Sequence, residues 1–163
     1  MVYLRQLSRN DGPEIYEMLQ DIKTVEHSFT NPAGGMSYDQ YRQWLLQQEQ
    51  WASGIGLPAD YVPQIIYWLY DSDTPVGFGK IRLRLTAASR SNGGNIGYAV
   101  RQKYRGRGYG NQLLALLLAE ARRLQIGEIL LTVDRDNSQS RKVCEANRGV
   151  LICESPERCF YQF

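Results

Sequence analysis

Apolar positions in this chain change period several times, and each change marks an element. Residues 2–7 (VYLRQL) alternate like a first strand. Asp11, Gly12 and Pro13 then open an amphipathic helix to about residue 23, with Ile15, Met18, Leu19 and Ile22 on one face. The stretch HSFTNPAGGM (27–36) reads as a loop. Ser37 with Gln40 gives the capping-box signature of a second helix, SYDQYRQWLLQQEQWA, with Tyr41, Trp44 and Leu45 on a partly apolar stripe. GIGLPADYVP breaks that helix, and QIIYWLY and VGFGKIRLRL read as an antiparallel hairpin turning at DSDTP.

After the polar loop TAASRSNGG comes a strand, NIGYAV, then the basic turn of residues 100–110 (VRQKYRGRGYG), then a long apolar helix to about residue 125. EILLTV is nearly continuous in apolar residues, which predicts a strand buried on both faces. DRDNSQSRKVCEAN follows as a short helix, and VLICES and RCFYQF close the chain as strands. The predicted order is β α α β β β α β α β β, an α+β or mixed α/β sandwich, with residues 1–163 as one domain.

Charge changes the picture at one place. The net charge of +2 hides 4 basic and 10 acidic side chains in residues 1–79, 8 basic and no acidic in 80–110, and 7 of each in 111–163. The basic segment coincides with the glycine turn. Glycines admit a ligand close to the backbone, a helix start adds unpaired N–H donors and a positive dipole end, and arginines add charge; such a turn suits a phosphate-bearing ligand. The acidic first half favours a cationic ligand, an amine, polyamine or basic peptide, with Tyr38, Tyr41, Trp44 and Trp51 as either cleft lining or core.

Several classes drop out. Cys144, Cys153 and Cys159 have no zinc-type spacing, and His27 is the single histidine, so no metal is expected. Sparse unpaired cysteines and no leader-like or spanning apolar stretch predict a cytoplasmic protein without membrane contact. The string G-x-x-x-x-G-K-[ST] is absent, and Gly106, Gly108 and Gly110 are spaced G-x-G-x-G rather than as a dinucleotide fingerprint. RGRGYG lacks the repeated pattern of an RNA-binding segment, so no nucleic acid is expected.

What does match is R-x-x-G-x-G at Arg105, Gly108 and Gly110, five residues past Val100. Through VRQKYRGRGYGNQLL, GNIGY and LLTVDRDNSQSRKV the chain resembles the GNAT superfamily of acyl-CoA-dependent N-acyltransferases over essentially its full length. It is also similar, through LPADYVPQIIYWLYD, GGNIGYAVRQKYRGRGYG and DNSQSRKVCEANRGV, to bacterial GNAT proteins described as predicted acetyltransferases.

The resemblance implies a mostly antiparallel sheet splayed where acetyl-CoA, the co-substrate, binds. Backbone N–H groups of Arg105, Gly106, Arg107, Gly108, Tyr109 and Gly110 would surround the pyrophosphate, with Arg101, Lys103, Arg105 and Arg107 screening it or meeting the 3′-phosphate. A Cβ at Gly108 or Gly110 would displace the diphosphate or clash with the neighbouring strand. Tyr98 and Val100 would pair with pantetheine, and the Tyr98 amide would hold the oxyanion; the Tyr98 ring is open between a site role and core packing. Asn137 and Ser140 match the family's N-x-x-S, Asn137 serving as pantetheine contact, helix N-cap or both. Where many relatives carry a general-acid tyrosine, this chain has Cys144, which is either a proton donor or a core residue. For a general base the candidates are Asp134, Glu14, Glu17, Asp21, Glu26 or a water chain.

The implied activity is acetyl transfer from acetyl-CoA to a primary amine, small molecule or protein, by direct attack in a ternary complex. The alternative is a non-catalytic acyl-CoA sensor. A homodimer is compatible with either.

Overall fold

The computed structural model describes all 163 residues. Four strands, β1 (Val2–Gln6), β4 (Gln64–Asp71), β5 (Thr74–Arg82) and β6 (Ile96–Val100), form an antiparallel sheet in the order β1-β4-β5-β6. A second antiparallel sheet holds β7 (Leu130–Asp134), β9 (Arg158–Gln162) and β8 (Val150–Glu154) in that order. The mixed α+β architecture expected from the pattern is the one observed, and no helix is long and apolar enough to cross a membrane.

Central strands β4 and β5 are buried along almost their whole length because each face meets a different helical layer. Ile65, Tyr67 and Leu69 point into a core shared with α4 (Tyr109–Arg123), through Leu113, Leu114 and Leu117. Ile66, Trp68 and Tyr70 point the opposite way, into a core with α1 (Pro13–Gln20) and α2 (Tyr38–Ala52). Alternation along one strand thus feeds two cores. Tyr41 and Trp44 are buried in the second of these.

Local chemistry decides where elements stop. Helix α2 begins at the reciprocal Ser37–Gln40 capping box that its sequence predicts. Helix α1 ends at Gln20, short of the expected residue 23, because the Asn31 amide takes the carbonyls of Leu19 and Ile22 at 2.8 and 2.9 Å.

Three elements depart from the expected order. The segment read as a loop from residue 27 contains half of a small hairpin, β2 (Val25–Glu26) and β3 (Phe29–Thr30), turning at His27 and Ser28, both with positive φ. The polar loop after β5 holds a short helix, α3 (Ala87–Ser91), started by a reciprocal Thr86–Ser89 cap. Strand β7 is buried on one face only, alternating Leu131 and Val133 inward with half-buried Leu130, Thr132 and Asp134. Its other face borders a cleft.

Candidate active site

The two sheets touch where β6 and β7 begin and separate beyond. Asn95 N–H donates to the Leu130 carbonyl at 2.6 Å, and Leu130 N–H donates to Asn95 Oδ1 at 2.9 Å. Gly94 makes this junction possible: its φ is +65°, and a Cβ there would lie 2.2 Å from the Leu130 oxygen. Past this point β6 and β7 share no ladder, and a cleft of about 490 Å³ opens between them, continuing to the turn at 105–111 and to α5 (Ser138–Ala146).

Register determines which backbone groups face that opening. Arg82 N–H donates to the Asn95 carbonyl and Arg101 N–H to the Val76 carbonyl, which puts both pairs at the hydrogen-bonded positions of the ladder. Between them Tyr98 stands opposite Gly79, and Val100 opposite Gly77, in the alternate, non-bonded positions of the antiparallel pair. Their N–H and C=O groups therefore point away from β5, across the gap towards β7. The Val100 carbonyl accepts the Arg105 Nε at 3.0 Å, which folds the turn back against the strand end.

In that turn the amides of residues 106–111 have no acceptor within the chain; the first helical bond of α4 is Gln112 N–H to the Gly108 carbonyl. The Arg105 amide differs from expectation because it already donates to the Gln102 carbonyl at 3.2 Å. Gly108 is the N-cap of α4 with φ +82°, a conformation that a side chain makes costly. No neighbouring strand crowds Gly108 or Gly110: added Cβ atoms would meet only Gln112 Nε2 at 4.0 Å and Val143 Cγ2 at 3.6 Å. The expected clash is therefore absent, and conformation is what requires Gly108.

The four cations of this segment divide into two pairs by role. Arg101 is buried, bound to Asp21 and, at 3.0 Å, to the Pro75 carbonyl, so it is not available to a ligand. Arg105 grips Glu26 through both Nη atoms at 3.1 and 2.6 Å, tying the turn to β2. Lys103 and Arg107 are exposed and free, each over the Tyr104 ring. The Tyr109 side chain donates to Asp71 at 2.5 Å and anchors the start of α4.

On the far wall Asn137 caps α5, its Oδ1 accepting the Ser140 N–H at 3.2 Å. That confirms the capping half of its two readings and leaves its Nδ2 unused at the cleft edge. Ser140 Oγ and Tyr98 Oη are hydrogen-bonded across the gap, and burial pushes the Tyr98 phenol well above its ordinary pKa. Lys142, which no motif in the sequence marks, lines the same wall.

Cys144 corrects an expectation. Its thiol has no exposed surface, packs in the α4 core and is pushed up to about 12 by burial, so proton donation into the cleft is not open to it. Among the proposed bases, Glu26 and Asp134 line the cleft, while Asp21 is bound to Arg101 and Glu14 and Glu17 lie elsewhere on the surface. The hydrogen bond from Arg105 holds Glu26 below the ordinary carboxylate range.

The β2–β3 hairpin closes the opposite mouth. Glu26 meets Arg105, Ser28 Oγ donates to Asp134 at 2.9 Å, and the Thr30 carbonyl accepts Lys80 Nζ at 2.6 Å. His27, Asp134 and Asp136 bring candidate ligand atoms within 4.8 Å of one another, yet Asp134 is already held by Ser28 and Asp136 is exposed. Lys80 and Arg82 lie under this hairpin; their signal was two charges at period 2 inside an apolar strand.

The profile of the acetyltransferase (GNAT) domain matches residues 2–149. The chain belongs to the GNAT acetyltransferase family. No curated protein matches it in sequence. Among solved structures, this GNAT protein is similar to RimL, the ribosomal L7/L12 alpha-N-protein acetyltransferase, in complex with coenzyme A, at 16% identity and TM-score 0.74, covering 99% of this chain and 93% of the other. Campylobacter jejuni N-acetyltransferase PseH in complex with acetyl coenzyme A aligns at 11% identity and TM-score 0.65, covering 100% and 98%. A GNAT-family acetyltransferase from Streptococcus pneumoniae aligns at 14% identity and TM-score 0.66, covering 100% and 99%. At these identities the likeness is one of fold.

Proposed function

We propose that this protein transfers an acetyl group from acetyl-CoA to a primary amine by direct attack in a ternary complex. The observation that carries the reading is the run of six acceptor-free amides, 106–111, at the end of a cleft between two splayed strands. Neighbours of the same fold hold coenzyme A or acetyl-CoA.

In this reading the amides of 106–111 and the α4 dipole hold the pyrophosphate, and Lys103, Arg107 and Lys142 supply charge for the remaining phosphate. Arg101 and Arg105 act on the protein itself, the second by fixing the turn. The inward N–H and C=O groups of Tyr98 and Val100, with Asn137 Nδ2, bind the pantetheine arm, and Ser140 holds the Tyr98 ring. Acetyl-CoA supplies an activated acyl group. The Tyr98 amide stabilises the oxyanion, a contribution of about 3 to 4 kcal/mol for a donor of this kind.

Proton removal depends on the acceptor. An amine with a pKa near 10.4 costs roughly 4.6 kcal/mol to deprotonate at pH 7, and an α-amine near 8 only about 1.4. Asp134 is the cleft carboxylate without an arginine on it and is the assigned base for the first case. The departing thiolate, with a reference pKa near 8.5, needs only about 2 kcal/mol of assistance, which the neutral Tyr98 hydroxyl provides as a hydrogen-bond donor.

Burial of Cys144 favours one second reading, an acyl-CoA sensor without turnover, because the position that matches the family's tyrosine carries no donor. Calorimetry with acetyl-CoA followed by thiol release over an amine panel tests both. Binding with turnover is expected; binding without turnover on any amine selects the sensor, and no binding at low micromolar concentration rejects the two together.

A further inference from the structure

Lys80, buried, and Arg82, half-buried, are cations that this fold supplies with no carboxylate. Lys80 is 8% exposed; its Nζ donates to the Thr30 carbonyl at 2.6 Å and lies 4.9 Å from the centre of the Phe29 ring. Arg82 is half-buried, and its Nη1 donates to the Gly94 carbonyl at 2.9 Å. Neither forms an ion pair, and each keeps several N–H donors without a protein acceptor.

The contrast with Arg101 is direct. Where this chain buries that arginine it supplies Asp21, and where Arg105 reaches the cleft it supplies Glu26. Lys80 and Arg82 sit two residues apart on one face of β5, about 6.7 Å along the strand, so each charge raises the cost of the other. Buried cations are retained when something anionic meets them. Both line the cleft, together with Asn92, Gly93 and Thr132. The two cleft carboxylates are engaged elsewhere, Glu26 by Arg105 and Asp134 by Ser28.

We propose that Lys80 and Arg82 form an anion subsite at the acceptor end of the cleft, so that the acceptor is an amine that also carries a carboxylate or phosphate group. The guanidinium offers a planar fork and the ammonium a point charge, a combination that suits either anion. Lys80 pairs with Gly97 in the β5–β6 register, one residue from Tyr98, which sets an anchored acceptor beside the amide assigned to the oxyanion. This replaces the expectation of a cationic acceptor, which counted the acids of residues 1–79 without their partners: Asp11, Asp21, Glu26 and Glu49 are all in ion pairs. The acceptor class rests on the acetyltransferase reading; the anion subsite itself does not.

Two measurements test it. With CoA saturating, so that the 106–111 turn is filled, succinate and inorganic phosphate are titrated by calorimetry into the wild type and into Lys80→Met and Arg82→Gln; one of the two anions binds the wild type and binds each variant at least about tenfold more weakly. Thiol release is then followed for matched acceptors: amino acids against their carboxamides, aminoalkyl phosphates against amino alcohols, and a polyamine. The anionic member is favoured at least about tenfold in kcat/KM, the preference collapses in both variants, and the KM for acetyl-CoA is unchanged. The preferred family tells carboxylate from phosphate. Equal use of neutral and anionic acceptors, polyamine preference, or wild-type anion affinity in both variants overturns the proposal. Absence of CoA binding rejects the acetyltransferase reading instead, and the anion titration run without CoA still decides the subsite. Lys80→Met melts no lower than the wild type, which separates lost binding from lost folding.

Discussion

The Tyr98 hydroxyl lies 2.9 Å from Ser140 Oγ, so a strand of one sheet touches the capped helix of the other across the cleft. The phenol is neutral at working pH, and burial raises its pKa further, so it is a donor rather than a base. Tyr98→Phe keeps the ring and the backbone amide. It should lower kcat by no more than about 30-fold, the equivalent of the roughly 2 kcal/mol a thiolate leaving group requires, with little change in the KM for acetyl-CoA. Thiol-release kinetics check this, and a loss beyond about a thousandfold would place more of the chemistry on the side chain than on the amide.

Gly108 permits a graded test of the turn. Its φ of +82° is tolerated by Asn better than by other side chains. Gly108→Asn should therefore fold with near wild-type stability and weakened binding. Gly108→Glu adds strain of about 1 to 2 kcal/mol and sets a carboxylate beside the acceptor-free amides, so calorimetry should show no CoA binding by a protein that still melts cooperatively. Unaltered affinity of the Glu variant would remove the turn from the site.

Gly94 controls how the sheets meet. A Cβ 2.2 Å from the Leu130 oxygen cannot be accommodated by side-chain motion, since the obstacle is backbone. Gly94→Ala should destabilise the protein by about 3 kcal/mol in urea unfolding and weaken acetyl-CoA binding in the same variant, because the junction that opens the cleft is displaced.

Cys144 separates packing from chemistry. Cys144→Ala should cost about 1 to 2 kcal/mol of stability through lost core contacts while kcat, measured well below the melting temperature, stays within about twofold. Alkylation of the native protein followed by mass spectrometry should modify Cys153, which is exposed, and spare Cys144 and Cys159, which are buried.

Much of this architecture is legible in local pattern. The alternation of β1, the Ser37–Gln40 box and the glycine turn each act over a few residues, and each element lies where its pattern puts it. The missed features act at long range or use unmarked residues. The β2–β3 turn has positive φ at His27 and Ser28, whereas turns of this kind are ordinarily signalled by Asn-Gly or Asp-Gly. Which arginine is free and which is bound depends on Asp21 and Glu26, 80 and 79 residues away in sequence. Strand β7 has the composition of a strand buried on both faces, yet one of its faces borders the cleft because the sheets part there. The isolation of Lys80 and Arg82 is likewise invisible until the partners of the other charges are known.

That isolation has a thermodynamic signature. Burial, reinforced by neighbouring Arg82, lowers the Lys80 pKa from 10.5 to about 8 in the folded protein. The folded state therefore releases its proton near pH 8, while the unfolded chain holds it until about 10.5. Between these values the unfolded state binds more protons, so this residue's effect on stability becomes more favourable as pH rises. Below pH 8 both states are protonated and the full penalty applies, on the order of 3 kcal/mol. Lys80→Met removes the charge at similar volume, so it should stabilise the protein near pH 7 by about 1 to 3 kcal/mol, an advantage that shrinks steadily from pH 8 to 10.5. Paired urea denaturations of wild type and variant across that range isolate the Lys80 contribution from other titrating groups. A variant less stable at pH 7, or an advantage that grows with pH, would mean that Lys80 has an anionic partner within the fold and that the cleft holds no unmatched cation for an acceptor to meet.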